Sequence, residues 1–130
     1  MSKFEEATIQ EAIVRHFNQL VLHKQLKPCI LYSNRNENKG IASGARYKRQ
    51  GRLAGVPDLS LIYDGKIAYI EVKTPSEHRT TKGIETKSRG MSKDQIAFHD
   101  KYIKPMGIKF GVVSSVVDFE NFIWFLKQQF

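Results

Sequence analysis

Gly55-Val56-Pro57-Asp58-Leu59-Ser60-Leu61-Ile62-Tyr63-Asp64-Gly65-Lys66-Ile67-Ala68-Tyr69-Ile70-Glu71-Val72-Lys73 is the stretch that decides how this chain folds. Two apolar runs, 59–63 and 66–73, flank Asp64-Gly65, a dipeptide that tolerates the positive φ of a tight two-residue turn. The spacing predicts two antiparallel strands whose paired residue numbers sum to about 129. Asp58, just ahead of the first strand, then stands opposite Glu71, near the end of the second. Side chains alternate along a strand, so Glu71 and Lys73 project from one face while Val72 points to the other. Pro75 ends the second strand, because proline has no N–H to give to a ladder.

Upstream, Ile9, Ile13, Val14, Phe17, Leu20 and Val21 recur at helical spacing and predict a helix from Phe4 to about Lys24. Cys29 to Tyr32, after Pro28, reads as a short strand. The polar stretch from Ser33 to Arg52 reads as a loop holding Arg35, Lys39, Arg46, Lys48, Arg49 and Arg52 against a single acid, Glu37. Downstream, Ser76 to Gly90 is a second polar loop with Arg79, Lys82, Lys87 and Arg89. Ser92 and Gln95 form an S-x-x-Q capping box, and the helix it opens runs to about Lys104, where Pro105-Met106-Gly107 stops it. Lys109 to Ser114 reads as a strand. Asp118 then caps a closing helix whose Phe119, Phe122, Ile123, Leu126 and Phe130 line one core-facing side, with Trp124 off that stripe as a candidate partner contact. Residues 1–130 are therefore expected to form one α/β domain, a mixed sheet flanked by helices.

The chain has 130 residues, 41% hydrophobic and 26% charged, a globular composition that excludes wholesale disorder and collagen-like repeats. Its formal net charge of +8 favours a polyanionic partner, with nucleic acid first. Cys29 is the only cysteine, so neither an internal disulfide nor a cysteine-based zinc cluster can form. Glu5, Glu6 and Glu11 exclude a secretory apolar segment at the start, and no run approaches the length of a membrane span. The expected setting is a reducing cytoplasm, nucleoid-associated or virus-encoded settings included, with no membrane partner. His16 and His23 lack a third ligand, and His78 and His99 fit no zinc or triad pattern. No contiguous run interleaves aromatic and basic residues as a single-strand stacking motif would.

Two carboxylates facing each other across a hairpin repel unless a cation sits between them, so Asp58 and Glu71 call for a hard divalent ion with oxygen ligands. Mg²⁺ is the natural candidate and Mn²⁺ a substitute.

Gly55-Val56-Pro57-Asp58-Leu59, Ile70-Glu71-Val72-Lys73-Thr74-Pro75 and Ser92-Lys93-Asp94-Gln95, with Ile9-Gln10 in the first helix, resemble the blocks of the virus-type replication-repair nuclease (VRR-NUC) domains. These belong to the PD-(D/E)xK superfamily. The resemblance covers nearly the whole chain and departs from the family in the long stretch between Pro75 and Ser92. It implies a restriction-endonuclease-like core, a metal-dependent DNA nuclease of repair type, and a homodimer acting on branched DNA such as four-way junctions or flaps. It also implies a glutamate from the first helix. On the helical wheel Glu6 falls at the centre of the stripe made by Ile9, Ile13, Phe17 and Leu20, whereas Glu11 points about 140° away. Glu6 is therefore the candidate, with an exposed first turn as its plain alternative.

Asp58, Glu71 and the carbonyl of Val72 are then expected to hold one or two metal ions, with Glu6 in the outer shell. Lys73 would orient water and offset negative charge, and Gln95 would act beside the metal, serve only as a cap, or do both. Arg46, Lys48, Arg49 and Arg52 in the first loop, with Lys82, Lys87 and Arg89 in the second, are the candidate phosphate contacts. A non-cleaving DNA-binding or assembly module of the same fold is the alternative, and an RNA nuclease ranks below both.

Overall fold

Asp64 and Gly65 adopt φ of 51° and 84°, the consecutive left-handed residues of a two-residue hairpin turn. The computed structural model describes residues 3–34, 45–46, 48–76 and 90–129. In chain order these form α1 (Lys3–Leu22), β1 (Cys29–Ser33), β2 (Leu59–Tyr63), β3 (Lys66–Val72), α2 (Lys93–Phe98), β4 (Lys109–Val113) and α3 (Val116–Gln129). Residues His99–Ile103 continue α2 as a π-helical turn.

The sheet order is β1-β2-β3-β4. β1, β2 and β3 run antiparallel, and β3 pairs with β4 in parallel after the crossover through α2, which makes the sheet mixed. In the hairpin Leu59 pairs with Ile70 and Tyr63 with Lys66. One residue further out, Asp58 lies opposite Glu71.

Alternation along these strands sorts the side chains onto two faces. Leu59, Leu61, Tyr63, Ala68, Ile70, Val72 and Val113 pack against Ile13 and Phe17 of α1 and against Phe119, Ile123 and Leu126 of α3 in one buried core. The opposite face of β3 carries Tyr69, Glu71 and then Lys73. There α2 packs across the sheet, with Phe98 edge-on to Tyr69 at 6.0 Å and His99 against Phe110 at 5.0 Å. No helix among the described residues is long and apolar enough to cross a membrane.

Three local readings are corrected. α3 is capped by Ser115, whose Oγ accepts from Asp118 N–H at 3.1 Å. Asp118 sits inside the first turn, and its Oδ2 reaches back past the cap to accept from Ser114 N–H and Oγ–H at 3.0 and 2.8 Å. Second, part of the basic stretch expected as a loop is helical, at residues 45–46 and 48–49. There Gln50 N–H donates to Arg46 C=O, and Gly51, at φ 98°, ends the turn by donating to Lys48 C=O. That helix has no apolar stripe, so periodicity could not signal it. Third, the helix opened by Ser92 widens to π geometry after Phe98. Phe130 lies outside the described residues.

Candidate metal centre and nucleic-acid interface

Where the hairpin ladder runs out, side chains take over its hydrogen bonds. Asp58 N–H donates to Glu71 Oε1 at 3.1 Å, and Val72 N–H donates to Asp58 Oδ2 at 2.9 Å. By the register, Pro57 faces Val72 across the hairpin. Proline offers no N–H to the carbonyl of Val72, so the backbone oxygen beside the two carboxylates has no ladder donor there. The sequence Pro57-Asp58 thus ends the ladder and places an acid at its end.

Glu71 is 1% exposed. Burial first, then the Asp58 charge and a side-chain hydrogen bond with Asp58, together push its carboxyl up to about 9 against the opposing pull of Lys73 and of the Asp58 N–H. In the absence of a cation the pair therefore keeps a proton, as two crowded carboxyl groups must. The donor set of two carboxylates and one carbonyl suits a hard divalent cation, which would take the place of that proton.

Lys73 follows Glu71 on the same face and is 7% exposed. Its Nζ donates to Gln95 Oε1 at 3.2 Å, and the same oxygen accepts from Ser92 N–H at 2.8 Å. Gln95 N–H in turn donates to Ser92 Oγ at 3.2 Å, completing the capping box. One glutamine side chain thus caps α2 and holds the lysine.

Glu6 is half-buried and Glu11 exposed, as the wheel requires. Among the described residues no group of three or more His, Cys, Asp or Glu side chains forms a metal cluster. Glu6 therefore does not join Asp58 and Glu71 as a third close carboxylate. Arg46, Lys48 and Arg49 are exposed on the short helical stretch and Arg52 is half-buried after it. Lys82, Lys87 and Arg89, with Arg35, Lys39, His78 and Arg79, lie outside the described residues. His16 is tied to Glu120 at 2.8 Å between α1 and α3, and Cys29 packs half-buried at the margin of the core.

Two positioning residues stand outside the candidate site residues read from the sequence. Asn34, just past β1, donates through Nδ2 to Pro57 C=O at 3.0 Å and to the Oγ of buried Ser60 at 2.7 Å, while its N–H reaches Asp58 C=O at 2.8 Å. It clamps the Asp58 segment from the β1 side. Gly55, at φ 80°, lies against the backbone of α2 on the other side, where an added Cβ would come within 2.0 Å of Asp94 C=O. Only glycine allows the Asp58 segment to approach the helix turn that carries Gln95 so closely.

No family model matches the chain, and no curated protein matches it. A solved structure described as a VRR_NUC domain does, with 21% sequence identity, coverage of 92% of this chain and 94% of that one, and a TM-score of 0.55. The fold is therefore an α/β domain with, among the described residues, a mixed four-stranded sheet flanked by helices. Within that class it is VRR-NUC-like, the fold implied by the motif blocks at Asp58, Glu71 and Gln95.

Proposed function

We propose that this domain is a divalent-metal-dependent deoxyribonuclease, a structure-selective endonuclease that cuts branched DNA as a homodimer. The observation that carries the reading is the contact between Asp58 and buried Glu71, two acids brought together at the end of one hairpin. Asp58, Glu71 and the Val72 carbonyl would hold Mg²⁺ or Mn²⁺, with Glu6 in the outer shell. Such an ion, when bound, supplies a Lewis acid for a phosphodiester and a water of lowered pKa.

The chain's own groups do the rest. Lys73, anchored by Gln95, presents its ammonium on the face of Glu71, where it orients water and offsets negative charge developing on the scissile phosphate. Arg46, Lys48, Arg49 and Arg52, and beyond the described residues Lys82, Lys87 and Arg89, grip phosphates without reading bases. One domain offers one such centre, so paired cuts across a junction call for two copies.

The test is cleavage mapping on single-stranded, duplex, flap and four-way DNA and on RNA, with Mg²⁺ or Mn²⁺ and with EDTA, comparing wild type with Lys73→Ala. Metal-dependent cuts in branched DNA that the variant loses are expected. Binding of every DNA with no cleavage overturns the enzyme reading in favour of an assembly module. Preference for RNA overturns the substrate, and sedimentation as a monomer with and without DNA overturns the dimer.

A further inference from the structure

The outer edge of β4, unpaired among the described residues, carries a cleft of about 360 Å³, walled by His99 and Ile108, by Phe110, by Phe125 of α3, and by Lys104 and Lys109. That volume is at the small end of ligand sites. The aromatic walls belong to separate elements: the His99 ring lies against Phe110 at 5.0 Å, and Phe125 stacks on Phe122 at 6.3 Å. Phe125 remains 45% exposed, a large apolar ring open to solvent at the mouth. Phe110 is half-buried, and its backbone faces the open edge: Lys73 N–H bonds Val113 C=O, which turns residues 109, 111 and 113 towards β3 and residues 110 and 112 away.

We infer that this cleft binds a single unpaired nucleotide, with its base against Phe110 and Phe125 and its phosphate on Lys104 and Lys109. Three features select that ligand. The walls are aromatic, and a base offers a π-face to them only when it is unpaired. Two lysines and no acid line the cleft among the described residues, and Asp100, next to His99 in sequence, is held by that ring at 3.3 Å. The chain as a whole carries +8, which disfavours a second copy of itself as the occupant and favours a polyanion. The sequence shows no run of interleaved aromatic and basic residues, and the fold assembles one from the π-helical turn, β4 and α3.

The cleft is separate from the carboxylate pair. In the β3–β4 register Lys109 lies beside Ala68 and Val112 beside Glu71, three residues further on, about 10 Å along the sheet. The inference extends the nuclease reading by giving the substrate an unpaired nucleotide close to the cut, as at a flap or a junction. It is tested by binding in EDTA, so that it stands or falls apart from cleavage.

The probe is a short fluorescent oligothymidylate, compared with a blunt duplex of the same length and with free thymidine monophosphate, using the full chain. Phe125→Ala, a change at an exposed ring, should weaken single-strand binding about tenfold, the scale of one lost stacking contact, and leave duplex binding unchanged. Joint replacement Lys104→Ala and Lys109→Ala should weaken the same probe and reduce the salt dependence of its binding by a slope of about one. Amide NMR shifts at Phe110 and Phe125 saturating with the monophosphate make the source a free nucleotide; shifts with the oligomer alone make it a DNA strand. Unchanged single-strand affinity in both variants overturns the inference. So does an equal loss on single strand and duplex, or displacement of the oligomer from the cleft by an acidic, tyrosine-bearing peptide at lower concentration.

Discussion

Asp58 N–H donates to Glu71 Oε1 at 3.1 Å, so the backbone of one acid holds the side chain of the other. The arrangement fixes a pH dependence. Glu71 has an ordinary value of 4.5 and is pushed up to about 9 in the fold, first by burial and then by Asp58. Between these values the folded chain retains a proton that the unfolded chain has released, so the metal-free protein loses stability as pH rises. The loss runs at no more than about 1.4 kcal/mol per pH unit. Below 4.5 both states are protonated and this contribution is whole; above about 9 it is gone. Chemical denaturation across pH should show that slope in wild type and none of it in Glu71→Gln.

The same proton must leave when a cation enters. Mg²⁺ or Mn²⁺ affinity is expected to rise with pH towards 9. Titration calorimetry near neutral pH, in two buffers of different ionisation enthalpy, should find about one proton released per site. Glu71→Gln should abolish that release, Asp58→Asn should reduce it, and each should lower cleavage by a factor on the order of 10²–10³.

Gln95 serves both its helix and Lys73, and two substitutions separate the roles. Gln95→Glu keeps an acceptor for Ser92 N–H and for Lys73 Nζ, whereas Gln95→Ala removes both hydrogen bonds. The alanine variant should lose about 1 kcal/mol of stability, as a lost cap does, and its turnover should fall with little change in DNA affinity. The glutamate variant should recover the stability. Thermal melts and single-turnover cleavage read the two effects.

Gly55→Ala tests the close approach of the Asp58 segment to α2. The new methyl would come within 2.0 Å of Asp94 C=O at a φ of 80°, so the segment or the helix must shift. Expected losses are about 1–3 kcal/mol from overpacking, with a further contribution from the left-handed backbone. Cleavage should fall by more than the unfolded fraction accounts for, and the Lys73 side-chain NMR signal should move in the folded molecules.

Joint replacement of Arg46, Lys48 and Arg49 by Ala should weaken binding to every DNA sequence alike and lower the salt slope by about three. These side chains are exposed, so melting temperature should hardly change. A loss confined to one sequence would show base reading instead.

The hairpin and the capping box were legible because each rests on local chemistry. Asp64-Gly65 admits the turn, strand alternation sets the faces, and Ser92 and Gln95 lie three residues apart. Glu6 was separated from Glu11 by helical geometry alone. Asn34 was not legible: it looks like any polar residue after a strand, and its partners Pro57 and Ser60 meet it only through the β1–β2 register. Gly55 likewise reads as a turn glycine, since nothing local announces the backbone of Asp94 beside it. The aromatic cleft at β4 is composite, drawn from segments that no sequence window spans.

The Asp64-Gly65 turn has a kinetic corollary. Both carboxylates belong to one short loop whose closure costs little entropy, so they meet as soon as the hairpin zips. Lys73 finds Gln95 only after the crossover helix has docked. A nascent chain thus brings its two acids together before its lysine is seated, and a cation captured between them at that moment would favour the productive strand pairing over its competitors.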